Sequence, residues 1–115
     1  MKVKTEIDLS VQMGAESTGT SLQGYMPEGT SYDDLIKVFG DPLEYDGTDG
    51  KIQAEWCGKI SGLVFTIYDY KSDVEPRLNT NWHIGGKIKL AAELVKVYFG
   101  GHSACSAQFC DNYSP

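Results

Sequence analysis

The sequence predicts a single α+β domain in which two helices pack on one face of a small antiparallel sheet. Three observations predict this class: segments that alternate apolar and polar residues, two stretches with helical spacing, and two neighbouring strand segments joined by a short turn. Strands joined by a tight turn pair antiparallel, and helices outside that pair cover one face of the sheet. The 115 residues, 41% of them apolar, suit one compact domain. We place the α+β domain at residues 1–101 and an irregular tail at residues 102–115.

The N-terminal part of the chain predicts a strand and then a long loop. Residues 3–11 alternate apolar and polar types, as in a half-buried strand. Residues 14–30 are rich in glycine and hydroxyl side chains and include a proline, so they predict no regular element. A loop of this length in a small domain is usually functional or disordered. Leu22, Tyr25 and Met26 offer anchors, which favours an ordered, functional loop over a flexible spacer.

A helix is predicted at residues 31–39. Ser31 and Asp34 have the spacing of a capping box, and Asp33 and Asp34 fall at the positive N-terminal end of the helix. Capping therefore explains this acidic pair better than metal binding does. The apolar residues of the segment share one face, and Gly40, followed by an Asp-Pro pair, ends the helix.

A hairpin is predicted next. Residues 52–56 form its first strand and residues 63–70 its second, with the turn at Gly58-Lys59 or at Ser61-Gly62. Alternation places one set of side chains towards the core and the other set on the opposite face. The predicted core set of the second strand is Leu63, Phe65 and Ile67, and the opposite set is Thr66, Tyr68 and Tyr70.

The second helix is predicted after a short extended piece at residues 82–84. Gly85-Gly86 closes that piece, and the helix begins there and ends at Gly100-Gly101. Its predicted packing residues recur at three- and four-residue spacing: Ile88, Ala91, Ala92, Val95, Tyr98 and Phe99. A sheet this small has open edges, which predicts a homo-oligomer in which self-association covers them.

Composition argues against several classes of function. The formal net charge of −6 and a pI near 4.7 disfavour a DNA or RNA binder, which needs clustered cations in excess. A small anionic ligand is still compatible, because it responds to a local pocket. The apolar runs fall far short of the roughly 20 residues that cross a bilayer. The N-terminus lacks the apolar block of a secretory peptide, so we predict a cytoplasmic protein.

The cysteines predict neither a disulfide framework nor a metal centre. Cys57, Cys105 and Cys110 are an odd number, and free thiols are expected in a reducing compartment. His102 precedes the last two cysteines, but these lack the paired C-x-x-C spacing of a zinc site. We therefore expect no metal and no cofactor.

Aromatic and amide side chains near residues 69–87 suggest a ligand pocket. The rings of Tyr68, Tyr70 and Trp82 can stack on a purine, although the same rings could serve as core residues. Asn79 and Asn81 can read the edge of an adenine, and turn formation is the equal alternative.

The same segment gathers positive charge in an acidic protein. Lys71, Arg77 and Lys87 are three cations near one loop. Gly85-Gly86 would let backbone amides approach an anion at the start of the second helix, which predicts a phosphate site. A solvated loop with a glycine-containing helix entry is the alternative.

Catalysis has weaker support in the sequence than binding. Familiar nucleophile, zinc-protease and phosphate-loop motifs are absent from the sequence. His83 could act as a general base with Asp69 or Asp73, which keeps a nucleotide-degrading enzyme as an alternative. A direct protein inhibitor that docks on a host enzyme through its acidic surface is a second alternative. We predict a protein that is not an enzyme.

Four segments together resemble the phage-encoded anti-Thoeris sponges, the first-described type of Thoeris anti-defence protein. They are STGTSLQGY at 17–25, SYDDLIKVFGDP at 31–42, AEWCGKISGLVFTIYDYK at 54–71 and NWHIGGK at 81–87. The resemblance implies a homo-oligomer, with dimers often assembled into hexamers. It also implies capture of glycocyclic ADP-ribose, uncleaved, in pockets between protomers, and in some members capture of cyclic trinucleotides at separate sites.

The resemblance also implies where these ligands bind. Rings and base-reading groups are expected at the end of TIYDYK and before WHIGG, and the glycine- and hydroxyl-rich loop is a candidate second site or oligomer contact. The implied partners are a cyclic ADP-ribose isomer, further copies of the chain and, in some members, a cyclic di- or trinucleotide. The implied location is the cytoplasm of a bacterial host. Neither DNA nor a membrane is an expected partner. The expected ligand-binding residues are Tyr68, Tyr70, Lys71, Arg77, Asn79, Asn81, Trp82, His83, Gly85, Gly86 and Lys87, and the second site comprises Thr18, Gly19, Thr20, Ser21, Gln23 and Gly24.

Overall fold

A computed structural model describes residues 10–15, 17–45 and 52–104, and it confirms the α+β class. The predicted strand at 3–11 lies mostly outside these ranges, and so does the tail with Cys105 and Cys110. All strand pairs are antiparallel, in the order β1-β4-β5-β6-β2, with β3 also paired to β4. The elements are β1 (Val11–Met13), β2 (Ser21–Tyr25), α1 (Tyr32–Phe39), β3 (Leu43–Glu44), β4 (Ala54–Ile60), β5 (Leu63–Tyr68), β6 (His83–Gly86) and α2 (Lys89–Ala104).

The capping box predicted for the first helix is present. The Ser31 hydroxyl accepts a hydrogen bond from the Asp34 amide at 3.0 Å, and the Asp34 carboxylate accepts one from the Ser31 amide at 3.1 Å. Gly40 ends α1 with a positive φ of 89°, and its amide donates to the Ile36 carbonyl. Both ends of α1 were therefore readable from local chemistry.

The β4–β5 hairpin turns at Ser61-Gly62, one of the two predicted positions. Both residues have positive φ, 50° and 82°, as tight hairpin turns require. The strand before the turn is longer than the predicted 52–56, because pairing with β5 runs from Glu55 to Ile60. The predicted turn at Gly58-Lys59 is wrong, since both residues lie inside this ladder.

The prediction that residues 14–30 form no regular element is wrong, because Ser21–Tyr25 is strand β2, paired with β6. The register shifts between Leu22 and Gly24, so a bulge breaks the alternation that would signal a strand. Gly24 lets α2 approach the sheet closely, since a Cβ there would lie 3.3 Å from the Ala92 Cβ. The glycine content that suggested a loop thus serves packing within a strand.

The core lies between the helices and one face of the sheet. Trp56 and Trp82 meet edge to face with ring centroids 5.4 Å apart, and both are 1% exposed. Leu35 of α1 and Val95 of α2 are fully buried in the same cluster. The sheet contributes Phe65, Ile67 and Ile84, as the alternation of the second hairpin strand predicted for the first two.

Helix α2 differs from the prediction at both ends. It begins at Lys89, because Gly85 and Gly86 belong to strand β6, and it continues past the predicted stop at Gly100-Gly101 to Ala104. His102 supports the last turn, since its Nδ1 lies 2.9 Å from the Tyr98 carbonyl and its ring contacts the Tyr98 ring. Within the described ranges, neither helix is long and apolar enough to cross a bilayer.

Candidate functional site

The face of the sheet opposite the helices, which we call the outer face, carries three chemically distinct rows of side chains. Strand register defines these rows, because paired residues direct their side chains to the same face. The first row holds an acid and three rings, the second holds small or uncharged residues, and the third begins with a lysine. The rows run across the sheet from β4. The first row is Glu55, Tyr68, His83 and Tyr25, and the second row is Cys57, Thr66, Gly85 and Leu22. The third row is Lys59 and Val64.

The connection between β1 and β2, described at residues 14, 15 and 17–20, crosses the outer face above the middle row. These two strands lie at opposite edges of the sheet. The Ser17 side chain hydrogen-bonds the Cys57 thiol, and Lys87 Cε lies 3.6 Å from where a Cβ at Gly19 would be. The centre of the middle row is accordingly buried, with Thr66 1% and Cys57 7% exposed, whereas Leu22 at its β2 end is exposed. This crossing segment separates the aromatic row from the lysine end of the outer face.

Cys57 is held beneath the crossing segment as a neutral thiol. Burial raises the pKa of this thiol to about 11, and the neighbouring Glu55 carboxylate acts in the same direction, whereas the Ser17 hydrogen bond opposes both. A thiol with this pKa is almost fully protonated at neutral pH and is a poor nucleophile. The chemistry of the outer face therefore rests with the aromatic row.

Four rings form what we call the ring cluster: Tyr25, Tyr68, Tyr70 and His83. His83 is its centre, with ring centroids 5.0 Å from Tyr25, 5.3 Å from Tyr68 and 5.7 Å from Tyr70. The Tyr68 ring stacks on His83 at 21°, whereas Tyr70 meets it edge-on. Tyr25 and Tyr70 are 52% and 42% exposed, so the cluster offers aromatic surface to a ligand.

The two inner rings of the cluster, Tyr68 and His83, are uncharged at neutral pH. Burial lowers the pKa of His83, and the nearby Asp69 carboxylate opposes this effect. Burial, followed by the Glu55 carboxylate and the two neighbouring tyrosines, raises the pKa of Tyr68. His83 Nδ1 is buried without a hydrogen-bond partner among the described residues. A neutral, planar group is therefore the part of a ligand that suits this surface.

Lys71 places one cation at the rim of the ring cluster. Its φ of 52° is unusual for a residue other than glycine, and its Nζ lies 5.5 Å from the centroid of the Tyr70 ring. Lys71 is exposed, so its ammonium can approach an anionic group of a ligand whose ring stacks on the tyrosines. The structure thus brings together four of the predicted site residues, Tyr68, Tyr70, Lys71 and His83.

Three other predicted residues lie elsewhere and serve the fold. Trp82 points into the core on the helix side, and its Nε1 donates to the Asn79 carbonyl at 3.2 Å. Asn79, 5% exposed, donates to the Asn81 carbonyl and accepts from the Asn81 amide. For Trp82 the core alternative is favoured, and for the asparagines the turn alternative is favoured.

Arg77 also lies on the helix side of the sheet, away from the ring cluster. Its guanidinium sits over the ring of Tyr32, 5.5 Å from the centroid, and Tyr32 packs against Trp56 in the core. Arg77 and Glu75 line a small surface pocket of about 170 Å³. Within one protomer, Arg77 and the ring cluster therefore face opposite directions.

The Gly-Gly step was expected at a helix entry and is instead inside strand β6. A Cβ at Gly85 would lie 2.7 Å from Thr66 Oγ1, and one at Gly86 would lie 3.0 Å from the Ala91 Cβ. Close packing on both faces of the sheet thus requires glycine at these positions. The predicted phosphate site at their amides is not formed as expected, because these residues pair with β5 and β2.

Lys87 occupies the other accessible area of the outer face. With Lys59 it lines a cleft of about 300 Å³ between the start of β5 and the start of α2. The predicted second-site segment reaches this cleft at Gly19, whose backbone packs near the Lys87 side chain. The other side chains of that segment are exposed or bonded to nearby groups. The Thr20 hydroxyl donates a hydrogen bond to the Ser17 carbonyl, and the Gln23 amide donates to the Ser21 hydroxyl and to the Gly86 carbonyl. Thr18 and Ser21 are exposed.

Tyr25 is the residue of the ring cluster that sequence reasoning missed. The sequence pattern predicts a loop anchor at Tyr25, because the bulge at residues 22–24 hides the strand that places it beside His83. Its neighbour across the bulge, Leu22, is 46% exposed on the same face. The register between β2 and β6 is the signal that identifies Tyr25, and a single sequence does not contain it.

Comparison of the chain with protein-family models, curated proteins and solved structures finds no match. Within the described ranges, no group of three or more His, Cys, Asp or Glu residues is arranged to hold a metal ion. The arrangement of the outer face therefore provides the structural basis for a functional proposal.

Proposed function

We propose that this protein is a phage anti-defence sponge that binds a cyclic ADP-ribose signal, such as glycocyclic ADP-ribose, and holds it uncleaved in the cytoplasm of the bacterial host. The observation that carries the proposal is the ring cluster, an exposed set of neutral rings with a lysine at its rim. The sequence resemblance to anti-Thoeris sponges supplies the ligand class, and the ring cluster is a surface suited to its base.

The geometry supports a base-stacking mode of capture. An adenine ring stacks on Tyr25 or Tyr70, where each contact of this kind contributes about 1–3 kcal/mol. The Lys71 ammonium then approaches the diphosphate, which is the charged part of such a ligand. Sequestration requires the sum of these contacts to reach a dissociation constant on the order of nM.

The enzyme alternative is less well supported by the same geometry. The Asp69 carboxylate is fully buried and accepts hydrogen bonds from the Gln53 and Ala54 amides at 2.8 and 3.1 Å. It is therefore occupied in holding the chain at the start of β4. His83 Nδ1 has no hydrogen-bonded carboxylate among the described residues, so the orienting partner of a general base is not supplied there.

For cyclic oligonucleotides we propose the cleft between Lys59 and Lys87, which the predicted second-site segment approaches only at Gly19. Two cations line this cleft, and the crossing segment separates it from the ring cluster. A ligand with several phosphates suits this cleft better than it suits the neutral ring cluster. Binding of a cyclic trinucleotide that competes with neither adenosine nor a cyclic ADP-ribose isomer would support two separate sites.

The test is recovery of intact ligand. The protein is mixed with glycocyclic ADP-ribose, separated from free ligand and heated, and the released compound is analysed by mass spectrometry. We expect unaltered ligand from wild-type protein, much less from Tyr70→Ala, and a wild-type amount from Val97→Ala, which removes an exposed apolar side chain from α2 on the other side of the sheet. Consumed ligand would favour the enzyme, whereas no capture together with association with a host protein would favour the inhibitor.

A further inference from the structure

A third cavity lies at the exposed margin of strand β4, where the first two rows of the outer face begin at Glu55 and Cys57. Strand β1 covers β4 at residues 58–60 and β3 covers it at residues 54 and 55, so a gap remains beside Trp56 and Cys57. The cavity at this gap has a volume of about 360 Å³, which is large enough for a small organic molecule. Its walls are mainly apolar and include Met13, Ala15, Leu43 and Trp56.

Glu55 brings a buried carboxylate to this apolar cavity. The residue is 9% exposed, and its Oε1 accepts a hydrogen bond from the Tyr45 hydroxyl at 2.8 Å. Two further neighbours, the Cys57 thiol and the Tyr68 hydroxyl, are both neutral because burial raises the pKa of each. Among the residues that the structure describes, no lysine or arginine forms an ion pair with Glu55. Buried carboxylates are usually paired with a cation, so the charge of Glu55 calls for one.

The remaining lining residues make the cavity more selective for positive charge. Asp41 adds a second carboxylate, and neither a lysine nor an arginine is among the described residues that line the cavity. Phosphate groups would be repelled here, so this is not a place for the charged part of a cyclic ADP-ribose. Apolar walls and a fixed carboxylate together suit a flat or apolar cation.

We propose that this cavity is a binding site for a small organic cation, with an amidinium, guanidinium or ammonium group on Glu55 and an apolar body between Met13 and Leu43. The inference is independent of the proposed sponge function, because it concerns a different cavity and a ligand of opposite charge. Burial of the carboxylate strengthens its attraction for a cation, since few water molecules compete for it.

Benzamidine and benzamide provide a matched pair of probes, because they share shape and differ in charge. Isothermal titration calorimetry of wild-type protein is expected to give at least roughly tenfold tighter binding for benzamidine, the preference typical of a charge-assisted hydrogen bond. Glu55→Gln should abolish this preference. Glu28→Gln, which removes the same charge from an exposed turn, should keep it.

A second variant keeps the test decisive if Glu55→Gln does not fold. Leu43→Lys adds a cation at an exposed position of the cavity wall and should also abolish benzamidine binding, with the circular dichroism spectrum unchanged. Equal binding of the two probes, or a preference that survives in Glu55→Gln or in Leu43→Lys, would overturn the proposal. So would the absence of benzamidine binding to wild-type protein, which is also the result expected if a side chain of the protein already fills the cavity.

Discussion

His83 illustrates how the neighbours of one residue set its charge. Three tyrosine rings surround it, its Nδ1 is buried, and burial lowers its pKa in the folded protein below the ordinary value of 6.5. The unfolded chain therefore takes up a proton at higher pH than the folded protein does. This residue stabilises the fold fully above that ordinary pKa, and its contribution is lost as the pH falls below it.

We expect this linkage to appear in the pH dependence of unfolding. Urea denaturation between about pH 7.5 and pH 5 should show a loss of stability in wild-type protein that is smaller in His83→Gln, because the variant has no imidazole to protonate. Val97→Ala is the control, since it changes an exposed side chain of α2 without removing a titratable group and should leave the wild-type slope unchanged. A His83→Gln curve parallel to wild type would contradict the assignment.

Cys57 gives a second prediction at the residue scale. With a pKa of about 11, it should react slowly with iodoacetamide at pH 8, where an exposed thiol is labelled readily. Peptide mapping isolates this residue, because trypsin releases it on a fragment that ends at Lys59, separate from the other two cysteines. Labelling should become fast when the protein is unfolded in urea. Rapid labelling of the native protein would show that the crossing segment does not protect the thiol.

The sequence was sufficient to predict the role of some side chains but not of others. Alternation along one strand was enough to place Tyr68 and Tyr70 on the face opposite the core, because side-chain direction in a strand follows position. Trp82 could not be assigned in this way, since it precedes a short strand and either direction was open. Asn79 was equally ambiguous, because a turn and a ligand edge use the same amide groups.

At the scale of elements, glycines had the least predictable roles. Gly40 and Gly62 end a helix and form a turn, as expected from their positive φ. Gly24 and Gly85 instead lie inside strands, where other elements approach the backbone closely. A sequence pattern shows that a residue lacks a side chain, but it does not show whether the backbone turns there or whether something packs against it.

Substitution by alanine should change the free energy of unfolding in opposite directions at Gly85 and at Gly100. Gly85→Ala would place a Cβ 2.7 Å from Thr66 Oγ1 and 3.3 Å from the Ser21 carbonyl oxygen, and we expect it to lower the free energy of unfolding by about 1–3 kcal/mol. Gly100→Ala has open space within helix α2 and should raise that free energy by about 0.5–1 kcal/mol. Urea denaturation measures both. Destabilisation by Gly100→Ala would argue against a helix that continues through this position.

For the whole molecule, the sequence predicted the class but not the way in which the segments meet. Two capped or periodic helices and one hairpin were sufficient for an α+β domain with both helices on one sheet face. The position of β2 beside β6 was not predictable, because it depends on a long-range pairing across a bulge. The place of Tyr25 in the ring cluster and the path of the crossing segment both follow from that pairing.

The separation of Arg77 from the ring cluster leads to a prediction about the proposed oligomer. Within one protomer the two lie on opposite sides of the sheet, so a single ligand can contact both only if they come from different copies of the chain.

If both residues bind the ligand, Tyr70→Ala and Arg77→Ala should each abolish capture when either variant is tested alone. Unfolding and refolding the two variants together should restore about a quarter of the sites, because half of the resulting dimers are mixed and each has one intact site. Capture is measured as intact glycocyclic ADP-ribose per protomer by native mass spectrometry. Full capture by Arg77→Ala alone would show that the ring cluster works without it, and no recovery in the mixture would contradict a pocket shared between protomers.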